Sequence, residues 1–124
     1  MIDLELGEMQ SKFADMIWEM EPVPSGVLVK LAEERFHWKK PTTYTTIRVL
    51  CDKGLFRNEN CVVRSEISRE EYYLRRSQET IERGFGGSLP TFLTAFASTK
   101  KPLSEEEIKS LETLIAEYRG RKGS

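Results

Sequence analysis

The chain has 124 residues, 39% hydrophobic and 31% charged, with nineteen Lys plus Arg against twenty Asp plus Glu. That is one domain, or one small domain with a docking element, and the composition excludes collagen-like, low-complexity and wholly disordered chains. The net charge of -1 does not by itself point to nucleic acid.

Leu6, Met9, Phe13, Met16, Ile17 and Met20 recur at steps of three and four, which predicts an amphipathic helix over 6–20. Pro22 and Pro24 end it, and Ser25 is the expected N-cap of a second helix of about three turns carrying Leu28, Leu31, Ala32, Arg35 and Phe36. After the break FHWKK, Pro41 suits the first turn of a third helix, with Tyr44, Ile47, Leu50 and Cys51 inward and Gly54 as its stop. Leu55 and Phe56, a polar turn Arg57–Asn60, and Cys61, Val62 and Val63 read as a small hairpin.

Ser68 and Glu71 form a capping-box pattern that opens a fourth helix with Tyr72, Tyr73, Leu74, Ile81 and Phe85. Gly84, Gly86 and Gly87 break it. Leu89, Phe92, Leu93, Phe96 and Ala97 make a short amphipathic fifth helix. A second capping box, Ser104 with Glu107, opens a last helix with Ile108, Leu111, Leu114, Ile115 and Tyr118 along one seam. Residues from Gly120 onward read as a frayed tail, and no internal repeat is present.

The expected class is therefore mainly α with a small β-hairpin: a winged helix-turn-helix over 1–66, a helical dimerisation region over 67–120 and a disordered tail over 121–124. The later helices are too apolar on one face to be solvated alone, and a second copy of the chain is the economical cover. The charge is divided along this order. Residues 1–21 carry net -5, residues 22–65 net +4 and residues 66–124 net 0. The basic excess falls on the second and third helices and the wing, where a winged helix meets a duplex.

At this point the chain resembles the BlaI/MecI/CopY family of bacterial repressors. The resemblance rests on Trp38, Thr42, Thr45, Leu50, Lys53, Gly54 and Leu55 in WKKPTTYTTIRVLCDKGLF, and on Ile17-Trp18 in the first helix. It continues through ISREEYY, GGSLPTFLTAF and LSEEEIKSLETLI, so it covers nearly the whole chain. It implies a homodimeric repressor on a pseudo-palindromic operator in double-stranded DNA. It also implies release when a membrane sensor metalloprotease leads to cleavage ahead of a Phe in the dimerisation region, here Ala95-Phe96. Three departures are plain. The wing NENCVVRSE is shorter than the family's and lacks its Gly-Arg and aromatic pattern. Val49 stands where the family has Arg. No cysteine follows Cys61, so the copper-sensing Cys-x-Cys pairs are missing.

With Ile47 inward, Thr42, Thr45, Val49 and Asp52 form the opposite face of the third helix, flanked by Thr46, Arg48 and Lys53, and Thr43 on the same helix is counted with them in the expected DNA-binding set. Thr hydroxyls bond base edges or phosphates, and Thr and Val methyls meet the thymine methyl. Lys39, Lys40, Arg57, Asn58 and Arg64 complete the expected DNA-binding set, as phosphate or wing contacts. Tyr73, Leu89, Phe92, Leu93, Phe96, Ile108, Leu111, Ile115 and Tyr118 are the expected dimer contacts.

Other chemistry finds little support. No apolar run reaches the ~18 residues of a membrane span, and MIDLELGEMQ lacks the basic and apolar regions of a secretory leader. Cys51 and Cys61 form no CxxC pair, which suits a reducing cytoplasm, and His37 alone gives no metal cluster or catalytic pair. Neither a cofactor, a metal nor an enzymatic activity is expected. Two alternatives stay open: a winged helix that docks on another protein, and a repressor answering a redox or metal signal.

Overall fold

The computed structural model describes residues 2–99 and 102–123. Its elements are α1 (Glu8–Met20), β1 (Val23–Pro24), α2 (Ser25–Phe36), α3 (Lys40–Asp52), β2 (Phe56–Glu59), β3 (Val62–Ser65), α4 (Arg69–Gly84), α5 (Leu89–Thr99) and α6 (Glu105–Gly123). Three helices followed by a hairpin, with one short strand after α1, is the winged helix-turn-helix order expected from the sequence. The chain divides into two compact units, residues 1–79 and 80–124, so the first takes in most of α4.

The first unit holds the core. Phe13, Ala14, Met16, Ile17 and Trp18 of α1 meet Leu28 and Ala32 of α2, Ile47 and Leu50 of α3, and Leu55, Phe56 and Val63 at the sheet. Met9 and Met20, two members of the predicted stripe, stay exposed. Both tryptophans are packing residues. Trp38 lies 5.2 Å from the rings of Phe13 and Phe36. Trp18 meets Phe56 and Tyr72, and its Nε1–H donates to the Ile67 carbonyl at 3.0 Å. Tyr72 is buried and donates its hydroxyl to the Leu4 carbonyl at 2.7 Å, which ties α4 to the extended segment before α1. Arg69 adds a second tie, donating to the Asp15 carbonyl at 2.8 Å.

The sheet order is β1-β3-β2, all antiparallel. β1 was not expected. Val23 pairs with Val63 and is buried, and Pro24 is tolerated because β1 is an edge strand. Ser25 is not the cap of α2. It lies inside the first turn, and its N–H donates to the Cys61 carbonyl at 2.8 Å, joining α2 to the wing. Glu21 does the same for α1, accepting both the N–H and the hydroxyl of Ser65 at 2.7 Å.

The wing turn is tighter than expected. Arg57, Asn58 and Glu59 are strand residues, and only Asn60 and Cys61 turn, with φ of 52° and 64°. Two successive left-handed residues make the primed hairpin turn that matches strand twist, where Gly is preferred second. A Cβ at that position costs about 1–2 kcal/mol, against an entropic penalty of about 0.5–1 kcal/mol for glycine. Cys61→Gly is therefore expected to stabilise the protein by roughly 0.5–1 kcal/mol, raising Tm by a few degrees. A calorimetric Tm at or below wild type would contradict this.

Helix ends follow the predicted chemistry in part. Gly54, at φ 82°, closes α3 as the left-handed residue expected of it. The box at Ser104 forms fully: its hydroxyl accepts the Glu107 N–H, and the Glu107 carboxylate accepts the Ser104 N–H. At Ser68 the hydroxyl accepts the Glu71 N–H, while the Glu71 carboxylate takes the Arg75 Nε–H at 3.1 Å. Ser88 caps α5 through the Thr91 N–H. The tail expected to fray from Gly120 is instead helical through Gly123, and Ser124 lies outside the described residues. One Gly inside a helix costs only about 1 kcal/mol, and Arg119 and Arg121 suit the negative end of the dipole.

The second unit is built differently. Beyond Tyr72 no described side chain is buried. Phe85 and Phe92 meet edge to face at 5.2 Å, and Phe92 stacks on Phe96 at 6.0 Å. Leu89, Phe96, Leu114, Ile115 and Tyr118 are all more than half exposed. No helix among the described residues is long and apolar enough to cross a membrane.

Candidate nucleic-acid interface

α3 is positioned by its buried stripe. Thr43, Thr46, Ile47 and Leu50 face the core, so the outward residues are Thr42, Thr45, Arg48 and Asp52. Val49 is half-buried at the edge of that face. This corrects two members of the expected DNA-binding set. Thr43 has no exposed surface, and Thr46 is buried with its hydroxyl donating to the Thr42 carbonyl at 2.8 Å. Thr43 lies one turn before Ile47 and shares its inward side even with Ile47 as the centre, whereas Thr46 is buried because the stripe is centred between Ile47 and the residues before it.

The Thr43 hydroxyl has no hydrogen-bond partner. A buried hydroxyl without one carries an unrecovered desolvation penalty of about 1–3 kcal/mol. Thr43→Val is accordingly expected to raise stability by roughly 1 kcal/mol and to leave DNA affinity unchanged. Loss of DNA affinity in this variant would return Thr43 to the interface.

Lys39 and Lys40 stand exposed at the N-terminus of α3, where the helix dipole adds partial positive charge. The Lys40 Nζ lies 5.9 Å from the Tyr44 ring centre. Arg48 is exposed one turn beyond Tyr44. Lys53 is different. Its Nζ donates to Asp3 at 3.0 Å and to the Glu5 carbonyl at 2.7 Å, and the Asp3 N–H returns to the Lys53 carbonyl. It anchors the N-terminal segment, which corrects its expected role as a free phosphate contact. No short-range signal in the sequence joins residues fifty positions apart.

On the wing, Arg57 and Arg64 are direct cross-strand partners and both are exposed, so they share one face of the hairpin. Arg57 pairs with Glu59 at 3.1 Å and Glu66 at 3.8 Å. Asn58 lies on the other face. With Tyr44, Ile47, Arg48 and Cys51 it lines a shallow groove of about 350 Å³ between α3 and the wing. Cys51 is half-buried there, and burial, followed by the Asp52 and Glu66 carboxylates, pushes its thiol pKa up. Cys61 is exposed at the wing turn, and both thiols are free. His37 is the exposed left-handed residue that ends α2. Among the described residues no three His, Cys, Asp or Glu side chains converge as metal ligands.

Of the expected dimer contacts, Tyr73 stands apart. It lies in the first unit, and its hydroxyl donates to the Asp15 carboxylate at 3.2 Å. The others lie on α5 and α6. Ala95, half-buried, and Phe96, exposed, sit in the middle of α5.

An outward Thr and Arg face on the third helix of a winged helix, with two lysines at its N-terminus, is the arrangement of a major-groove reader. Comparison with known proteins agrees. The family model described as "Penicillinase repressor" matches residues 6–117. A search of curated proteins finds no match. The chain belongs to the penicillinase repressor family, whose members are DNA-binding transcriptional repressors.

Proposed function

We propose that this protein acts in the cytoplasm as a homodimer that represses transcription from a pseudo-palindromic operator. Each protomer offers α3 to one major groove, and the two half-sites lie about one helical turn apart. Lys39, Lys40, Arg48 and Arg64 neutralise phosphates, with Arg57 contributing from the wing. Thr42, Thr45 and Val49 choose bases, and Asn58 supports them from the groove beside α3. Leu89, Phe92, Leu93, Phe96, Ile108, Leu111, Ile115 and Tyr118 of two copies cover one another. The observation that carries this reading is the exposed row Thr42, Thr45 and Arg48 above a fully buried stripe on the same helix.

Release follows from the same layout. Cleavage at Ala95-Phe96, triggered by a membrane sensor metalloprotease, separates α6 from the reading head and removes five of these eight dimer contacts. No catalytic role is assigned to any residue.

A salt titration of duplex binding tests the electrostatic core of the proposal. Log K is expected to fall linearly with log salt, by about 0.9 for each phosphate neutralised. A flat line would leave the winged helix as a protein-docking module.

A further inference from the structure

The exposed face of the wing carries Arg57 and Glu59 on β2 and Val62 and Arg64 on β3, with Glu66 at its base. Two cations and two carboxylates make that face neutral, although the stretch containing the wing is net +4. The carboxylates do not sit at random. Glu59 is two residues from Arg57 on one strand, hence on the same side, and lies 3.1 Å from its Nε. Glu66 approaches from the opposite strand end at 3.8 Å. Its backbone is held there, because the Glu66 N–H donates to the Leu55 carbonyl at 2.8 Å and the preceding Ser65 is gripped by Glu21. A cross-strand pair of arginines is repulsive by itself, and these acids relieve it in the free protein.

We propose that Glu59 and Glu66 compete with DNA phosphates for Arg57 and so set how strongly the wing binds any duplex. The proposal rests on the DNA-binding reading above. A phosphate oxygen approaching Arg57 must displace a carboxylate and lies beside both acids when it has done so. Sequence-independent attraction, which comes from phosphates alone, is therefore held down at the wing. Base contacts from α3 are untouched, so binding is weakened on every duplex alike and the choice among sequences is left to α3. A wing of this composition lowers the attraction that every duplex shares and leaves base choice unchanged.

The test uses the full chain and a duplex of arbitrary mixed sequence, with affinity read by fluorescence anisotropy across a salt series. Glu59→Gln/Glu66→Gln is expected to tighten binding about fivefold and to steepen log K against log salt by about one, the increment for one more phosphate contact. In an Arg57→Gln background the same pair of substitutions is expected to have no effect. Glu34→Gln, which removes an exposed carboxylate on α2, serves as the control for general charge. Unchanged affinity in Glu59→Gln/Glu66→Gln would overturn the proposal. So would an equal gain from Glu34→Gln, or a gain that survives the loss of Arg57. A wild-type protein whose binding ignores salt would overturn the DNA-binding reading itself, which is a separate result.

Discussion

Ile115→Glu is expected to convert the protein from a dimer into a monomer of 14.4 kDa and to weaken operator binding by at least about 100-fold. Ile115 is 54% exposed on α6, beside Leu114 and Tyr118, which are exposed to a similar degree. Within a single chain a carboxylate there displaces nothing. Between two chains it is buried in an apolar contact without a partner, which is strongly unfavourable. The effect on DNA follows from linkage. Two tethered heads bind their half-sites with an effective concentration set by the tether, worth about 10²–10⁴ over one head. Helices without a buried face are only marginally stable, so helical content in 80–124 is expected to fall in the same variant. Sedimentation equilibrium and circular dichroism, with anisotropy on a duplex selected by the protein from a random pool, decide the matter. A wild-type mass of a single chain, or an unchanged mass in the variant, would refute the dimer.

Local chemistry was legible wherever it repeats at short range. The apolar periods of α1, α2 and α3, the stop at Gly54, the hairpin and the capping box at Ser104 all follow from residues within a few positions of one another. What escaped the sequence depends on pairing at a distance. β1 exists because Val23 finds Val63, and a two-residue strand between prolines has no pattern of its own. Lys53 reads as a free cation until Asp3 reaches it. Tyr73 reads as apolar bulk until its hydroxyl meets Asp15.

The candidate interface was less legible than the fold for a geometric reason. A helical face is defined by its centre, and an error of half a residue moves a flanking side chain from solvent to core. Thr46 crossed that line and Thr42, Thr45 and Arg48 did not, while Thr43, one turn before Ile47, lies on the inner side with either centre. Charge misled in the opposite sense. The net +4 over residues 22–65 counts Lys53 and Arg57 as available, yet carboxylates already hold both. The cations left open among that stretch's expected contacts are Lys39, Lys40, Arg48 and Arg64.

Replacing three of these together, as Lys39→Gln/Lys40→Gln/Arg48→Gln, is expected to lower duplex affinity by about two to three orders of magnitude, on every sequence alike. All three side chains are exposed, and no ion pair with a carboxylate holds them among the described residues, so folding is expected to be preserved. Their placement brackets the N-terminal half of α3, where backbone N–H groups and the dipole already favour an anion. Each lost contact removes about 0.9 from the slope of log K against log salt, so the triple variant is expected to flatten it by nearly three. Thr45→Ala gives the contrasting signature. It removes no charge, leaves the salt slope intact and is expected to cost about 1–3 kcal/mol on the selected operator with little change on arbitrary duplex. The two signatures separate positioning from reading on a single helix. A triple variant with the wild-type slope would show that phosphates are met elsewhere, and an operator preference indifferent to Thr45 would remove base choice from this face of α3.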